Sequence, residues 1–239
     1  MNKPLRIVLL FFLLCVILAA SAVLSLMFGG SDLPLRDALS GLFHPGAGDT
    51  LSMIVWQIRI PRMLLGMIVG LGLAVCGCAF QGMLRNPLAD PYTLGISGGA
   101  AFGASVGVAA GLAQINSFLI PLCAFGGTMA SVALVYGASM RKGFSLSSLI
   151  LSGVILGFLF SSLVLLVYAL ADSQKVYAAI LWLMGDLSSA DTRLLRLCAA
   201  IILPGCVLLA FYGRELDILT LGEEKASHLG MDIIAVKKL

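Results

Sequence analysis

The run Ile58-Arg59-Ile60-Pro61-Arg62 leads into the apolar segment Met63 to Leu84, and then into Arg85-Asn86-Pro87-Leu88-Ala89-Asp90-Pro91-Tyr92-Thr93-Leu94-Gly95-Ile96-Ser97. A helix rises about 1.5 Å per residue and the hydrocarbon core of a bilayer is about 30 Å thick, so an apolar run of about 20 residues crosses it. Two cations therefore stand at one end of a membrane helix and a proline-broken polar turn at the other. Pro87 and Pro91 prevent a continuous helix, and the irregular backbone they leave is tolerated only where it lines a cavity or meets water. The pattern reads as a gated passage more than as a passive anchor.

The rest of the chain agrees with a membrane setting. Hydrophobic residues make up 60% of the 239 and charged residues 11%, against the roughly 25% charged share of soluble domains. Six apolar runs are long enough to be spans: Leu5 to Met27, Met63 to Leu84, Ile96 to Leu112, Phe118 to Ser139, Leu146 to Leu170 and Leu194 to Tyr212. The fold class that follows is all-α, a polytopic transmembrane helical bundle. A seventh stretch, Tyr177 to Met184, is too short to cross and reads as a re-entrant or interfacial piece. The first run has the flavour of a signal peptide, with Lys3 and Arg6 ahead of it and Ala20-Ser21-Ala22 inside it. Because the apolar run continues to Phe28, an uncleaved span is the preferred reading.

Charge sets an orientation. With the N-terminus inside, inner segments hold Lys3, Arg6, Arg85, Arg141, Lys142, Arg214, Lys225, Lys237 and Lys238. The outer ones hold Arg36, Arg59, Arg62, Lys175, Arg193 and Arg196. The inner excess follows the positive-inside tendency, and the outer cations that resist it imply that something uses them. No Asp, Glu or Lys lies in the interior of a span, which argues against an ion-coupled carrier, since such proteins keep an intramembrane ionisable group. No basic tract or aromatic platform points to nucleic acid, and no phosphate-binding glycine loop points to ATP hydrolysis by this chain.

Small residues recur at helical spacing: Gly95, Gly99, Gly103, Gly107 and Gly111; Gly66, Gly70, Ala74 and Cys78; Gly153, Gly157 and Ser161. That period lets helix backbones approach closely where lipid gives no hydrophobic drive for association. The six cysteines fall inside the spans and read as small buried hydrophobes. Cys76 and Cys78, two apart, face different directions on a helix. His44 has no ligating neighbour in sequence, and neither it nor His228 reads as a metal ligand.

Five motifs, in order, then carry a resemblance. They are Trp56-Gln57-Ile58-Arg59-Ile60-Pro61-Arg62, Asn86-Pro87-Leu88-Ala89-Asp90-Pro91, Leu94-Gly95-Ile96-Ser97-Gly98-Gly99-Ala100, Trp182-Leu183-Met184-Gly185, and Leu221-Gly222-Glu223-Glu224-Lys225-Ala226-Ser227-His228-Leu229-Gly230. Together, from about residue 5 to the end, they resemble the FecCD-type permease family, the membrane subunits of type II ABC importers for ferric siderophores, haem and cobalamin. The resemblance implies a permease of about ten spans in the bacterial or archaeal cytoplasmic membrane. It also implies a second permease copy, cytoplasmic ATPase subunits that hydrolyse ATP, and a periplasmic or lipid-anchored substrate-binding protein. No cofactor or resident metal is implied, and any iron would travel inside its chelate. Because this chain supplies six spans and stops at Leu239, it reads as one transmembrane permease domain, residues 1–239, C-terminally incomplete, with a cytoplasmic coupling segment at 213–239.

The resemblance also assigns roles. Arg59 and Arg62 match outward arginines that dock the binding protein through its glutamates; such exposed pairs fix register and speed encounter more than they stabilise. Headgroup snorkelling is the plainer alternative. Pro61 would start the second span, where no amide partner is needed. Asn86 and Leu88, with Ser147 at the start of the fifth span, match an inner gate, a plain tight turn being the alternative for the first two. Leu221, Gly222, Glu223, Glu224, Ala226, Leu229 and Gly230 match the piece that enters a cleft of the ATPase, with the two glutamates suited to the first turn of a short helix. The leading expectation is a permease for a bulky metal chelate, with ferric siderophore as the specific choice. A non-transporting fragment or assembly partner stands as the alternative, ahead of an ion-coupled secondary carrier.

Overall fold

Each apolar run is helical in the structure, a computed structural model that describes residues 3–28, 34, 40–43, 50–116, 118–140, 146–187 and 190–231. The main helices are α1 (Lys3–Met27), α2 (Ile60–Leu84), α3 (Ile96–Ala109), α4 (Leu119–Met140), α5 (Leu146–Leu170), α6 (Ser173–Leu183), α7 (Thr192–Phe211), α8 (Gly213–Thr220) and α9 (Glu223–His228). Among the described residues, five helices are long and apolar enough to cross a membrane: α1, α2 with the turns that lead into it, α4, α5 and α7.

The third run, Ile96 to Leu112, is shorter than its sequence suggests. It was expected to reach Leu112, but α3 has 14 residues, which rise about 21 Å against about 30 Å of hydrocarbon. The chain turns at Ala110 and Gly111, the latter at φ 74°. α3 is held by neighbouring helices, chiefly α4, α5 and α6.

The chain divides into two compact units, Met1–Gly72 with Leu187–Gly205 and Leu73–Asp186 with Cys206–Leu239. In the first, the expected helix start at Pro61 is corrected. The helix begins at Thr50, runs through a π-helical stretch at Ile54–Arg59, and continues as α2 without a break. In an ordinary α-helix the Pro61 ring would strike the carbonyl of Gln57 and remove a donor. A π turn, one residue wider, takes up that misfit, and the Ile60 N–H donates five residues back to the Val55 carbonyl. Val55 and Ser52 are buried beside it, and Trp56 Nε1 donates to the Gly41 carbonyl at 3.1 Å.

In the second unit the glycine spacing becomes backbone contact. A Cβ on Gly99 would lie 2.5 Å from the Gly127 carbonyl oxygen and 2.6 Å from Ser131 Cβ, while one on Gly103 would collide with the Cys123 carbonyl. No side chain fits between α3 and α4 at these points. On the other side of α3, Phe102 and Phe160 of α5 meet with ring centroids 5.9 Å apart. α6, which contains most of the short Tyr177 to Met184 stretch, places Ala179 in a buried cluster with Ala104, Val108, Ile120 and Ala124. It is thus packed against protein. The six cysteines are free.

Candidate gate and coupling site

The polar turn after α2 is built by its own side chains. Leu84 is the last residue of α2, and Arg85 follows in the left-handed region at φ 50°, the one such non-glycine residue among those described. Asn86 N–H reaches back to the Gln81 carbonyl at 3.3 Å and Arg85 N–H to that of Gly82 at 3.4 Å. This is the paired closure of a helix C-terminus that usually employs glycine where Arg85 stands. Asn86 then heads a turn: its Oδ1 accepts from the Leu88 N–H at 2.9 Å, and its carbonyl accepts from the Ala89 N–H at 3.0 Å. Pro87 in second position presets the backbone for this geometry.

Both flanks of the turn are anchored. Phe80 and Met83 of α2 pack on the buried group Leu94, Val135 and Leu149. A short 3-10 turn, Pro91–Leu94, ends at Gly95, whose φ of 70° and close approach to the Gly153 carbonyl exclude a side chain. The Gly95 carbonyl accepts from the fully buried Ser131 Oγ at 3.0 Å.

The segment expected to couple to an ATPase is two short helices with a glycine break. α8 ends at Thr220, Gly222 follows at φ 104°, and α9 runs to His228 before Gly230 at φ 81°. Ala226 is fully buried and its carbonyl accepts from the Met231 N–H, whereas Leu221 and Leu229 are 56% and 63% exposed. The side chains of Glu223 and Glu224, and residues 232–239 of the expected coupling segment, lie outside the described residues. His44 does too.

α8 lies against the end of α2. A Cβ on Gly82 would touch Thr220 and Leu216 at 3.8 and 3.9 Å, and one on Gly222 would touch the Arg85 guanidinium at 3.5 Å. These elements and the end of α7 border an open cavity of about 770 Å³. Ala74, Val75, Ala79 and Leu209 give it an apolar wall; Gln81, Arg85, Asn86 and Asp217 give it a polar end. Asn86 is thus brought to the coupling segment. Leu88 is 85% exposed and Ser147, at the start of α5, is exposed; neither lines this cavity. Sequence reasoning passed over Gly82, Arg85 and Asp217, although Arg85 adjoins the Asn86-Pro87 motif and Asp217 opens the coupling run.

The two arginines expected to act as a pair differ. Arg62 is exposed. Arg59 is buried, at 6% exposure, and its Nη1 donates to the carbonyls of Leu26 and, at 2.8 Å, Met27. Those are the last carbonyls of α1, which lack helical partners and carry the negative end of the helix dipole. Lys175 plays the same part elsewhere, its Nζ donating to the Ala109 carbonyl at the end of α3 at 2.8 Å. Two of the cations that the charge count places outside are therefore engaged by helix C-termini. Among the described residues no group of His, Cys, Asp and Glu side chains could hold a metal ion.

With apolar membrane helices, a proline-flanked turn and a glycine-broken coupling segment at one cavity, the class is that of a multi-pass membrane permease. The model of the FecCD transport family matches residues 14–239, and the chain belongs to that family. It is 35% identical over 227 residues to the ABC transporter permease protein YvrB of Bacillus subtilis, covering 90% of this chain and 64% of that one. It is 33% identical over 233 residues to the hemin transport system permease protein HmuU of Yersinia pestis, covering 94% and 67%. A solved structure described as a metal-chelate type ABC transporter in an inward-facing conformation is similar with a TM-score of 0.82 and 30% identity, over 95% of this chain and 70% of that one. The chain thus spans roughly two thirds of the length of these relatives. It is a multi-pass protein of the cytoplasmic membrane, with a type II importer permease fold.

Proposed function

We propose that this chain forms the translocation pathway of a binding-protein-dependent ABC importer for a metal chelate, and that the chelate is a ferric siderophore. The observation that carries the reading is the shared cavity: Asn86, in the gate turn, and Leu216, Asp217 and Thr220, in the coupling segment, line one space. Movement of α8 by a partner bears directly on the turn, with no intervening element. The partner is a cytoplasmic ATPase, and the exposed Leu221 and Leu229 offer the apolar contacts its cleft would cover. ATP hydrolysis belongs to that subunit. Arg62 contributes to docking of the binding protein, and a second permease copy completes the pathway.

The chelate class is supported by the family and by the largely apolar walls of the cavity. The choice of siderophore over haem or cobalamin rests on the resemblance alone. Uptake of iron-55 siderophore, haemin and labelled cobalamin by cells with this chain as the sole permease of its class tests it. Siderophore uptake that vanishes when the ATPase is inactivated is the expected result. Uptake of haemin or cobalamin instead would correct the substrate. No uptake, with no ATPase bound in native mass spectra of the gently extracted chain, would sink the permease reading in favour of an assembly partner.

A further inference from the structure

Arg85 occupies a backbone position that disfavours it. In the left-handed region a side chain with a Cβ costs about 1 kcal/mol relative to glycine, and the helix closure made there by the N–H groups of Arg85 and Asn86 needs no side chain at all. A residue held where glycine is the easier choice is worth a functional question. The guanidinium gives the answer, since it lies 3.5 Å from where a Cβ of Gly222 would stand. Gly222 is itself at φ 104°, at the break between α8 and α9.

The contacts form a ladder. Gly82 lies in the last turn of α2, and Arg85 follows just past its end. Leu216 and Thr220 lie at ordinary contact distance from a Cβ at Gly82, and Arg85 extends one step further to Gly222. The Arg85 guanidinium thus stands within van der Waals reach of the break.

We propose that Arg85 is a positioning residue, a strut that fixes the angle at the Gly222 break and so ties α9 to the turn headed by Asn86. This deepens the coupling reading above and rests on it for its meaning in transport. The contact itself can be tested without transport.

The test is amide hydrogen exchange by mass spectrometry on the full chain in lipid nanodiscs, comparing wild type with Arg85→Gly, Arg85→Gln and Arg85→Lys. Arg85→Gly keeps or eases the backbone, so the fold survives and α2 amides exchange as before. Exchange in residues 222–231 should rise about five- to tenfold in the Gly and Gln variants, with most of the protection returned by Lys. Unchanged or slower exchange there in Arg85→Gly would overturn the strut, as would a rise confined to the end of α2. A chain that binds no ATPase yet shows the expected exchange pattern would sink the coupling reading and leave the strut standing.

Discussion

Arg59 Nη1 donates to the Met27 carbonyl oxygen at 2.8 Å, joining residues 32 apart in sequence at the end of α1. A charged hydrogen bond of this kind, largely buried, contributes about 1.5–3 kcal/mol, and a neutral replacement leaves the helix carbonyls without their donor. Arg59→Gln should therefore lower the thermal stability of the detergent-solubilised chain by several degrees. Arg59→Lys should recover part of it. Stability equal to wild type in the Gln variant would show that the contact is incidental.

Arg62 separates docking from folding. Because it is exposed, Arg62→Glu should leave the melting temperature within about a degree, as surface changes generally fall within ±0.5 kcal/mol. It should slow association with the binding protein, and the slowing should weaken as salt is raised. An association rate identical to wild type at low salt would remove Arg62 from the docking surface.

Two adjacent glycines on α4 give an internal control. A Cβ on Gly127 would collide with the Gly99 backbone, whereas one on Gly126 would meet nothing within 4 Å among the described residues. Gly127→Ala should cost about 2–3 kcal/mol or prevent accumulation of folded protein, since overpacking against backbone has no cheap relief. Gly126→Ala should be neutral or stabilising by up to about 1 kcal/mol through helix propensity. Equal behaviour of the two variants in a fluorescence-detected thermal assay would refute the close α3–α4 approach.

Lys175 caps α3 through the Ala109 carbonyl and stands 3.9 Å from Asp172. Its side chain is partly exposed, so Lys175→Met should cost about 1 kcal/mol or less. The effect should appear as faster amide exchange around residues 106–112. Protection there unaltered by the change would mean that water serves those carbonyls equally well.

The spans were legible because lipid dictates apolar runs of fixed length, and the close packing of α3 was legible, though not its partner α4, because glycine at every fourth residue suits tight helix contact. Harder to read was where helices end and turn. α3 stops at Ala109 although the apolar run continues, since Gly111 takes a left-handed backbone. The π stretch arises from a clash between Pro61 and a carbonyl four residues earlier, and no hydropathy pattern encodes it. Arg59 and Lys175 looked like outward charges, because the carbonyls they cap lie 32 and 66 residues away. The motif order pointed to Asn86 and to the coupling residues separately. Their meeting at one cavity is a non-local packing event, α8 against the end of α2.

The helix from Thr50 to Leu84 has 35 residues, roughly 50 Å of rise. A bilayer measures about 40–45 Å with its headgroups included. Such a rod either leans well away from the membrane normal or carries its first turns, those before Pro61, beyond the lipid on the Arg62 side. In the second arrangement the chain has a stalk contiguous with its second span, and a load placed on that stalk passes into the membrane along a single hydrogen-bonded backbone.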